Sequence, residues 1–174
     1  MVLSLFTSDG GSGLHYLLRC SLEDGNVQSI CLSENTSRDL QEMMPFVSVS
    51  PNGRYVFCAM NASGSGDMPS QWISLLVDWE TGAVTELEDA PPMDSCSKMT
   101  WKEDSSGLAV TGWDCRTVVV STDGTIQPAH EVTDGYTRGF GFLDESLFLV
   151  DQTGLDVRFR IPQDGVDIIL PTDR

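Results

Sequence analysis

Histidine and cysteine are the residue types in this chain that most often bind metal ions. The sequence holds two histidines, His15 and His130, and five cysteines at positions 20, 31, 58, 96 and 115. No two cysteines form a C-x-x-C pair, which excludes zinc-ribbon and thioredoxin-type motifs, and two histidines are fewer ligands than a zinc site needs. We predict no metal site and no cofactor. We expect both histidines to be structural or loop residues, and the cysteines to be buried, reduced thiols.

Two glycine-rich segments, Asp9–Gly13 and Ser63–Asp67, have the composition of phosphate-binding or calcium-binding loops. A phosphate loop is normally followed by a helix whose N-terminus faces the anion, whereas strand-like residues follow both segments. The calcium-loop spacing D-x-[DN]-x-[DN]-G is also absent. These segments are therefore expected to be loops between strands.

Catalytic carboxylates cannot be singled out from the sequence. Acidic residues cluster at Glu23-Asp24, Glu86–Asp89 and Glu103-Asp104, where solvated turn residues are the ordinary explanation. A G-x-S-x-G nucleophile elbow is absent from the sequence. We predict no catalytic residue.

The binding candidates are Trp113, Asp114 and Arg116, which lie together at a predicted turn between two strands. Exposed tryptophan and arginine are favoured anchors of protein–protein contacts. The alternative is that Trp113 is buried in the core, as we expect for Trp79 and Trp101, which end alternating apolar segments.

A turn that recurs four times predicts the architecture. An acidic or polar residue and a glycine separate two apolar runs at Gly25, Gly82, Gly124 and Gly165, and these glycines lie 57, 42 and 41 residues apart. A period near 42 residues, made of short strand-like segments, is typical of a four-stranded unit repeated around a ring.

Each repeat divides into strands a to d. In the second repeat, Phe46–Ser50 and Arg54–Met60 flank a Pro-Asn-Gly turn that is typical of a hairpin. The third repeat gives strand b at Leu108–Trp113 and strand d at Thr125–Pro128. The first lacks strand a. Thr36–Met44 could form one or two helical turns, but we expect it to connect two repeats. The sequence predicts an all-β chain, a single array over residues 1–174 with blades at about 1–33, 45–88, 96–129 and 138–170.

The segment Val47–Phe57 (VSVSPNGRYVF) resembles the S-P-D-G-[KR] core of the TolB-like, or WD40-like (PD40-type), β-propeller repeats. Val77–Leu87 is similar to that family's D-x-x-T-G hairpin, and Phe6–Asp9 to its F-T-S-D strand end. The third and fourth repeats have the same spacing of strands and turns. The a–b turn of the third repeat, Lys102–Gly107, has no proline, and that of the fourth, Asp144–Ser146, has no glycine. The resemblance implies a β-propeller of about four four-stranded blades with an incomplete first blade.

Members of this family include TolB-type scaffolds, the propeller domains of prolyl-oligopeptidase-like peptidases and oligogalacturonate lyases. The lyases use a metal held by several histidines, and this chain has two. Because one fold hosts many functions, the expected role is a non-catalytic scaffold that presents loops for protein–protein interaction or self-assembly. The alternative is the propeller portion of an enzyme of the peptidase or lyase type.

Charge and hydropathy exclude several classes of function. The formal net charge is −16 in 174 residues with no basic stripe, which disfavours nucleic-acid binding. No apolar run approaches the roughly 18 residues of a membrane span, and no signal peptide is visible, so we expect no membrane partner and a cytoplasmic location.

The acidic surface either serves solubility or attracts a basic partner. Because a blade buries both faces, we expect the outermost sheets to be covered by the rest of a longer propeller, by a second copy in a homodimer or by a different protein.

Overall fold

A computed structural model describes residues 2–8, 13–36, 38–40, 46–63, 71–93, 97–132 and 135–170 of the chain, with Val2–Ser8 described by its backbone. These residues form fifteen β-strands and one turn of 3-10 helix at Pro162–Asp164. The strands are β1 (Val2–Ser8), β2 (Gly13–Cys20), β3 (Val27–Cys31), β4 (Phe46–Val49), β5 (Tyr55–Ala62), β6 (Gln71–Asp78), β7 (Val84–Glu86), β8 (Lys98–Trp101), β9 (Gly107–Thr111), β10 (Arg116–Ser121), β11 (Ile126–Glu131), β12 (Tyr136–Leu143), β13 (Ser146–Thr153), β14 (Asp156–Ile161) and β15 (Val166–Leu170).

The strands form four antiparallel sheets, each a meander in which sequence neighbours are also sheet neighbours. Sheet 1 has the order β1-β2-β3, sheet 2 β4-β5-β6-β7, sheet 3 β11-β10-β9-β8 and sheet 4 β12-β13-β14-β15. This confirms the predicted all-β class, the four successive sheets and, among the described residues, the three-stranded first sheet. Strands β4 and β5 lie within about two residues of the predicted segments Phe46–Ser50 and Arg54–Met60.

Positive φ angles explain the recurring turn. The four glycines that define the repeat, Gly25, Gly82, Gly124 and Gly165, have φ angles of 72°, 74°, 85° and 65°. A residue with a Cβ atom is strained in this left-handed region. Each of these glycines lies in the hairpin between the last two strands of its sheet.

Aspartates close several of the turns. Asp24, Asp78, Asp104 and Asp123 each accept a hydrogen bond at Oδ1 from the backbone N–H two residues later, at 2.9–3.1 Å. These bonds help to lower the pKa of all four carboxyls, together with the Ser21 hydroxyl at Asp24 and the Arg54 guanidinium at Asp78. These carboxylates therefore stabilise turns, as the sequence predicts for Asp24 and Asp104.

The chain divides into two compact units. Unit 1 comprises Met1–Val49 and Gly53–Glu88, and unit 2 comprises Ser50–Asn52 and Asp89–Arg174. The core of unit 1 joins Leu17 of sheet 1 and Leu32 to buried residues of sheet 2 and to Trp79, which is 7% exposed. In unit 2, Ala109 of sheet 3 packs with Leu147 and Leu149 of sheet 4.

Some predicted segments differ from the structure. Strand β11 continues past Pro128 to Glu131, so His130 lies in a strand and not in a connection. Strand β9 ends at Thr111, which leaves Trp113 in the turn. As expected for a connection between two repeats, no helix includes Thr36 or residues 38–40, and Leu40 forms a bridge with Ala62. Ser37 and residues 41–44 of the same segment lie outside the described residues.

The described part of the chain holds no helix that is long and apolar enough to cross a membrane. Residues 9–12 and 64–67, which are most of the two glycine-rich segments, and Cys96 lie outside the described residues. That the four repeats form a single array stays a prediction.

We predict that Gly82→Ala lowers the free energy of unfolding by about 1 kcal/mol, because alanine is strained at a φ of 74°. Gly139→Ala is the matched control, since an added Cβ atom meets nothing within 4 Å at either position and the φ of Gly139 is not positive. Urea denaturation measures both. A loss at Gly139 equal to that at Gly82 would contradict the backbone explanation.

Candidate functional site

The candidate binding residues lie in the turn that joins β9 to β10 in unit 2. Below the turn, the hydroxyls of Thr111 and Thr117 form a buried hydrogen bond of 2.8 Å. Within it, the Gly112 N–H donates to the Arg116 carbonyl at 3.1 Å and the Cys115 N–H to the Gly112 carbonyl at 3.2 Å. The backbone of this turn is therefore held in one geometry.

Neighbouring segments of unit 2 fix the turn from both sides. The Trp113 N–H donates to the Pro92 carbonyl at 3.0 Å, and the Val132 N–H to the Cys115 carbonyl at 3.3 Å. Residue 112 must be glycine for this approach, because a Cβ atom there would lie 2.5 Å from the Pro92 carbonyl oxygen.

Trp113 projects from this fixed turn with 59% of its surface exposed. The Asp114 carboxylate accepts from the Arg116 N–H at 3.2 Å and forms an ion pair with the Arg116 guanidinium at 2.5 Å. This pair holds the arginine beside the turn, although an ion pair this exposed contributes little stability. The structure thus brings the three predicted residues together and exposes the indole.

A cleft of about 590 Å³ lies next to the turn and shares Arg116 with it. Within the described part of the chain, the carboxylates of Asp89 and Glu131 at this cleft are in no ion pair, and both residues are exposed. The lining also includes apolar and hydroxyl groups; the residues are Asp89, Arg116, Thr117, Val118, Ile126, Pro128, Ala129, His130 and Glu131. The cleft offers apolar surface and negative charge to a ligand.

An irregularity of the edge strand β11 shapes the floor of this cleft. Thr117 pairs with His130 and Val118 with Pro128, so Ala129 is the extra residue of a β-bulge. Proline lacks an N–H and is tolerated at such an edge position. The bulge sets the direction of the residues that follow it, including His130.

His130 contacts a buried carboxylate of the neighbouring sheet. Its Nε2–H donates to Asp151 Oδ2 at 2.7 Å, and the Thr137 hydroxyl donates to Asp151 Oδ1 at 2.9 Å. Burial of Asp151 disfavours its charge, but the hydrogen bonds from His130 and Thr137 outweigh this effect and lower its pKa. The Arg160 guanidinium lies 3.6 Å from the same oxygen. This network joins sheets 3 and 4 and positions one wall of the cleft.

Sequence reasoning found the turn and missed the cleft. The contributions of Asp89, Glu131, His130 and Asp151 depend on the bulge and on the packing of two sheets. The predicted strand Thr125–Pro128 ends at its proline, although proline is tolerated in an edge strand or at a bulge.

The two histidines have different surroundings. His15 lies in β2 of unit 1 and is 1% exposed, and His130 lies in β11 of unit 2. Among the described residues, no group of three or more histidine, cysteine or acidic side chains has the arrangement of a metal site. No disulfide bond joins any two of the four described cysteines. The expectation that the cysteines are buried is correct for Cys58 and wrong for Cys20, Cys31 and Cys115, which are partly exposed. Burial raises the pKa of the Cys58 thiol to about 12.

Comparison with known proteins identifies the fold. No protein-family model matches the chain, and no curated protein matches it. Among solved structures, a prolyl endopeptidase matches with 15% sequence identity and a TM-score of 0.58. The match covers 98% of this chain and 29% of the endopeptidase chain. The β-propeller domain of the Trilobed protease from Pyrococcus furiosus is 14% identical with a TM-score of 0.57, covering 97% and 53%. The RRP9 WD40 repeats are 12% identical with a TM-score of 0.55, covering 95% and 49%.

These similarities establish a β-propeller, WD40-like fold and nothing about activity, because identities this low show the fold alone. The chain spans between about a third and about half of the length of these structures.

We predict that Cys115→Gly is more stable than Cys115→Ala by about 1 kcal/mol. Cys115 has a φ of 62°, where glycine is unstrained and alanine is not. Both variants lose the contact of the thiol with the Gly135 carbonyl, so their difference reports the backbone alone. Thermal unfolding of the pair provides the measurement, and equal stabilities would contradict a strained turn.

We also predict that Asp151→Asn lowers the free energy of unfolding by about 2 kcal/mol at pH 7, because charge-assisted hydrogen bonds are lost. The folded-state pKa of Asp151 is below its ordinary value of 3.8. Its stabilisation is therefore complete above that value and disappears as the pH falls through the folded-state pKa.

The difference in the free energy of unfolding between wild type and Asp151→Asn should consequently become smaller below about pH 4. Urea titrations at a series of pH values measure this difference. Asp156→Asn, at an exposed position of β14, is the control and should cost less than about 0.5 kcal/mol. A difference between wild type and Asp151→Asn that stays constant from pH 7 to pH 3 would refute the assigned role of the carboxylate.

Proposed function

We propose that this chain is a non-catalytic propeller module that binds a protein partner through the Trp113 turn and the adjoining cleft. The observation that carries the proposal is the exposed indole on a turn whose backbone is fixed from both sides. We further propose that its repeats are of the TolB-like type, supported by the Ser50–Arg54 turn, in which Gly53 has a φ of 71°.

The exposed aromatic surface of Trp113 favours a role in binding over a role in folding. Exposing a large aromatic surface to water is unfavourable, and a bound partner would remove that surface from water. Tryptophan and arginine are the residues most enriched among energetic anchors of interfaces. Because the turn is already ordered, binding costs less conformational entropy than it would for a mobile loop.

Charge indicates the chemistry of the partner. Asp89 and Glu131 place two carboxylates in the cleft, and the chain as a whole carries −16. A lysine or arginine of the partner would gain charge attraction there and a cation–π contact at the Trp113 indole. We therefore propose a basic protein segment as the ligand, and neither nucleic acid nor a membrane surface.

The second candidate is the propeller portion of a peptidase. The similarity to a prolyl endopeptidase and to the propeller of a protease favours this candidate as much as the WD40 similarity favours a scaffold. In that case the nucleophile elbow would belong to another segment of the peptidase, because the 174 residues do not contain this motif. A lyase-type activity has less support, since it would need more histidines than His15 and His130.

A cytoplasmic location is part of the same proposal. The four described cysteines form no disulfide bond with one another, as is usual for proteins of a reducing compartment.

The test compares two labelled peptides of about twelve residues, one rich in lysine and arginine and one with glutamate at the same positions, by fluorescence anisotropy. We expect the basic peptide to bind more tightly and its affinity to fall with salt. Trp113→Ala should weaken binding about tenfold, the loss of one anchor. Leu155→Ala, which truncates an apolar residue that is 76% exposed in the β13–β14 turn, should leave it unchanged.

Equal affinity for the two peptides would contradict the proposed ligand. Binding that is insensitive to Trp113→Ala would contradict the proposed surface. Hydrolysis of a peptide by the chain would contradict the non-catalytic role.

A further inference from the structure

A second cleft lies in unit 1, at the end of the hairpin that joins β2 to β3. Its volume is about 500 Å³, and polar side chains outnumber apolar ones in its lining. The lining residues are Arg19, Ser21, Asp24, Asn26, Val27 and Gln28. A cleft of this composition suits a polar or charged ligand better than an apolar one.

Arg19 is the basic residue of this cleft, and its charge is not paired with a carboxylate of the described chain. Of the nine lysines and arginines that the structure describes, six are in ion pairs with acidic side chains. Lys98 donates instead to the Arg138 carbonyl, and Arg138 to the Gln152 side chain. Within the same described residues, the Arg19 side chain has no ion pair and no hydrogen bond. Its guanidinium donors are therefore available to a ligand.

The cross-strand neighbour of Arg19 supplies a second donor. Arg19 pairs with Gln28, so the two side chains lie on the same face of sheet 1. The next pair on that face is Leu17 with Ile30, and neither residue is charged. Arg19 Nη2 lies near the β4–β5 turn, 3.9 Å from the point that a Cβ atom of Gly53 would occupy. The guanidinium and the Gln28 amide can thus donate to one ligand.

The acidic residue of the cleft is bound within its own turn. The Ser21 hydroxyl and the Asn26 backbone N–H donate to the Asp24 carboxylate and lower its pKa. The Asn26 backbone bond to Oδ1 is 3.1 Å long, and the Asn26 side-chain amide donates to Oδ2. Both oxygens of Asp24 already have donors, which leaves the Arg19 guanidinium unoccupied.

We propose that this cleft binds a carboxylate group, held by the Arg19 guanidinium and the Gln28 side-chain amide. A guanidinium presents two parallel N–H donors that match the two oxygens of a carboxylate. A carboxylate carries a single negative charge, whereas a phosphate group at pH 7 carries about −1.5 to −2. The net charge of −16 and the neighbouring Asp24 disfavour this additional charge.

The carbon chain of the ligand would contact Val27, which is 61% exposed and lines the same cleft. The carboxylate is that of a free organic acid or that of an acidic residue of a protein, and the binding chemistry is the same for both. The site lies in unit 1 and the Trp113 turn in unit 2, so this proposal does not depend on the proposed function.

The test is an NMR titration of the ¹⁵N-labelled 174-residue chain with sodium acetate, with sodium chloride keeping the ionic strength constant. We expect the Arg19 Nε–H signal and the Gln28 side-chain amide signals to shift and to saturate, with a dissociation constant in the millimolar range. Acetamide has the shape of acetate without its charge and should cause no saturating shift. Inorganic phosphate should bind more weakly than acetate.

Variants separate the two donors from general electrostatics. Arg19→Gln should weaken acetate binding at least about tenfold, read from the Gln28 amide signals. Gln28→Leu should weaken it about threefold, the loss of one hydrogen bond. Arg38→Gln is the matched control, because it removes an arginine of unit 1 that is paired with Glu86, and it should change the affinity less than about twofold. All the positions are partly or fully exposed, and the dispersion of the backbone signals confirms that each variant is folded.

A second pair of ligands identifies the source of the carboxylate. A capped pentapeptide of glycines with one central glutamate is compared with its glutamine counterpart. Binding of the glutamate peptide more tightly than acetate supports an acidic residue of a protein, and binding of acetate at least as tightly supports a free acid. Trp113→Ala should leave both affinities unchanged.

The proposal is overturned if acetate causes no saturating shift at Arg19, or if acetamide causes the same shift as acetate. It is equally overturned if Arg19→Gln binds acetate as tightly as the wild type. Tighter binding of phosphate than of acetate would contradict the assigned class of ligand.

Discussion

Chain reversal through a left-handed residue is the constraint on which this structure depends. A meander of short strands must turn within a few residues, and such turns commonly place one residue at positive φ. Nine of the described residues have positive φ, and all nine lie in hairpin turns. Six are glycines, and the others are Ser105, Cys115 and Asp144. The sheets keep their register because these turns fix where each strand begins.

The same constraint explains how much of the fold could be predicted from the sequence. Where glycine occupies the left-handed position, as at Gly53 and Gly82, composition reveals the turn and the flanking strands follow from alternation. Ser105 and Asp144 occupy equivalent positions between the first two strands of sheets 3 and 4, where the family pattern fades. At these two positions no glycine marks the left-handed residue, and the repeat length of about 42 residues supports the prediction of both turns.

The candidate site shows where sequence reasoning stops. Trp113, Asp114 and Arg116 are adjacent in sequence, so a turn prediction is enough to bring them together. The cleft beside them combines Asp89, which is distant in sequence, with residues displaced by a bulge in β11. The hydrogen bond from His130 to Asp151 joins two sheets, and no local pattern specifies which strands of different sheets meet. These features follow from packing, which a single sequence does not reveal.

Burial differs from strand to strand, and this difference connects the fold with the proposed function. A blade gains stability from its neighbours more than from its own hairpins, because a two-sided apolar sheet is covered only by other sheets. Strands β5 and β9 achieve this burial, whereas β2 and β13 achieve half of it. The Trp113 turn differs from these strands, since the charged groups of Asp114 and Arg116 lie beside its exposed indole. A surface of that kind can remain in water until a partner binds.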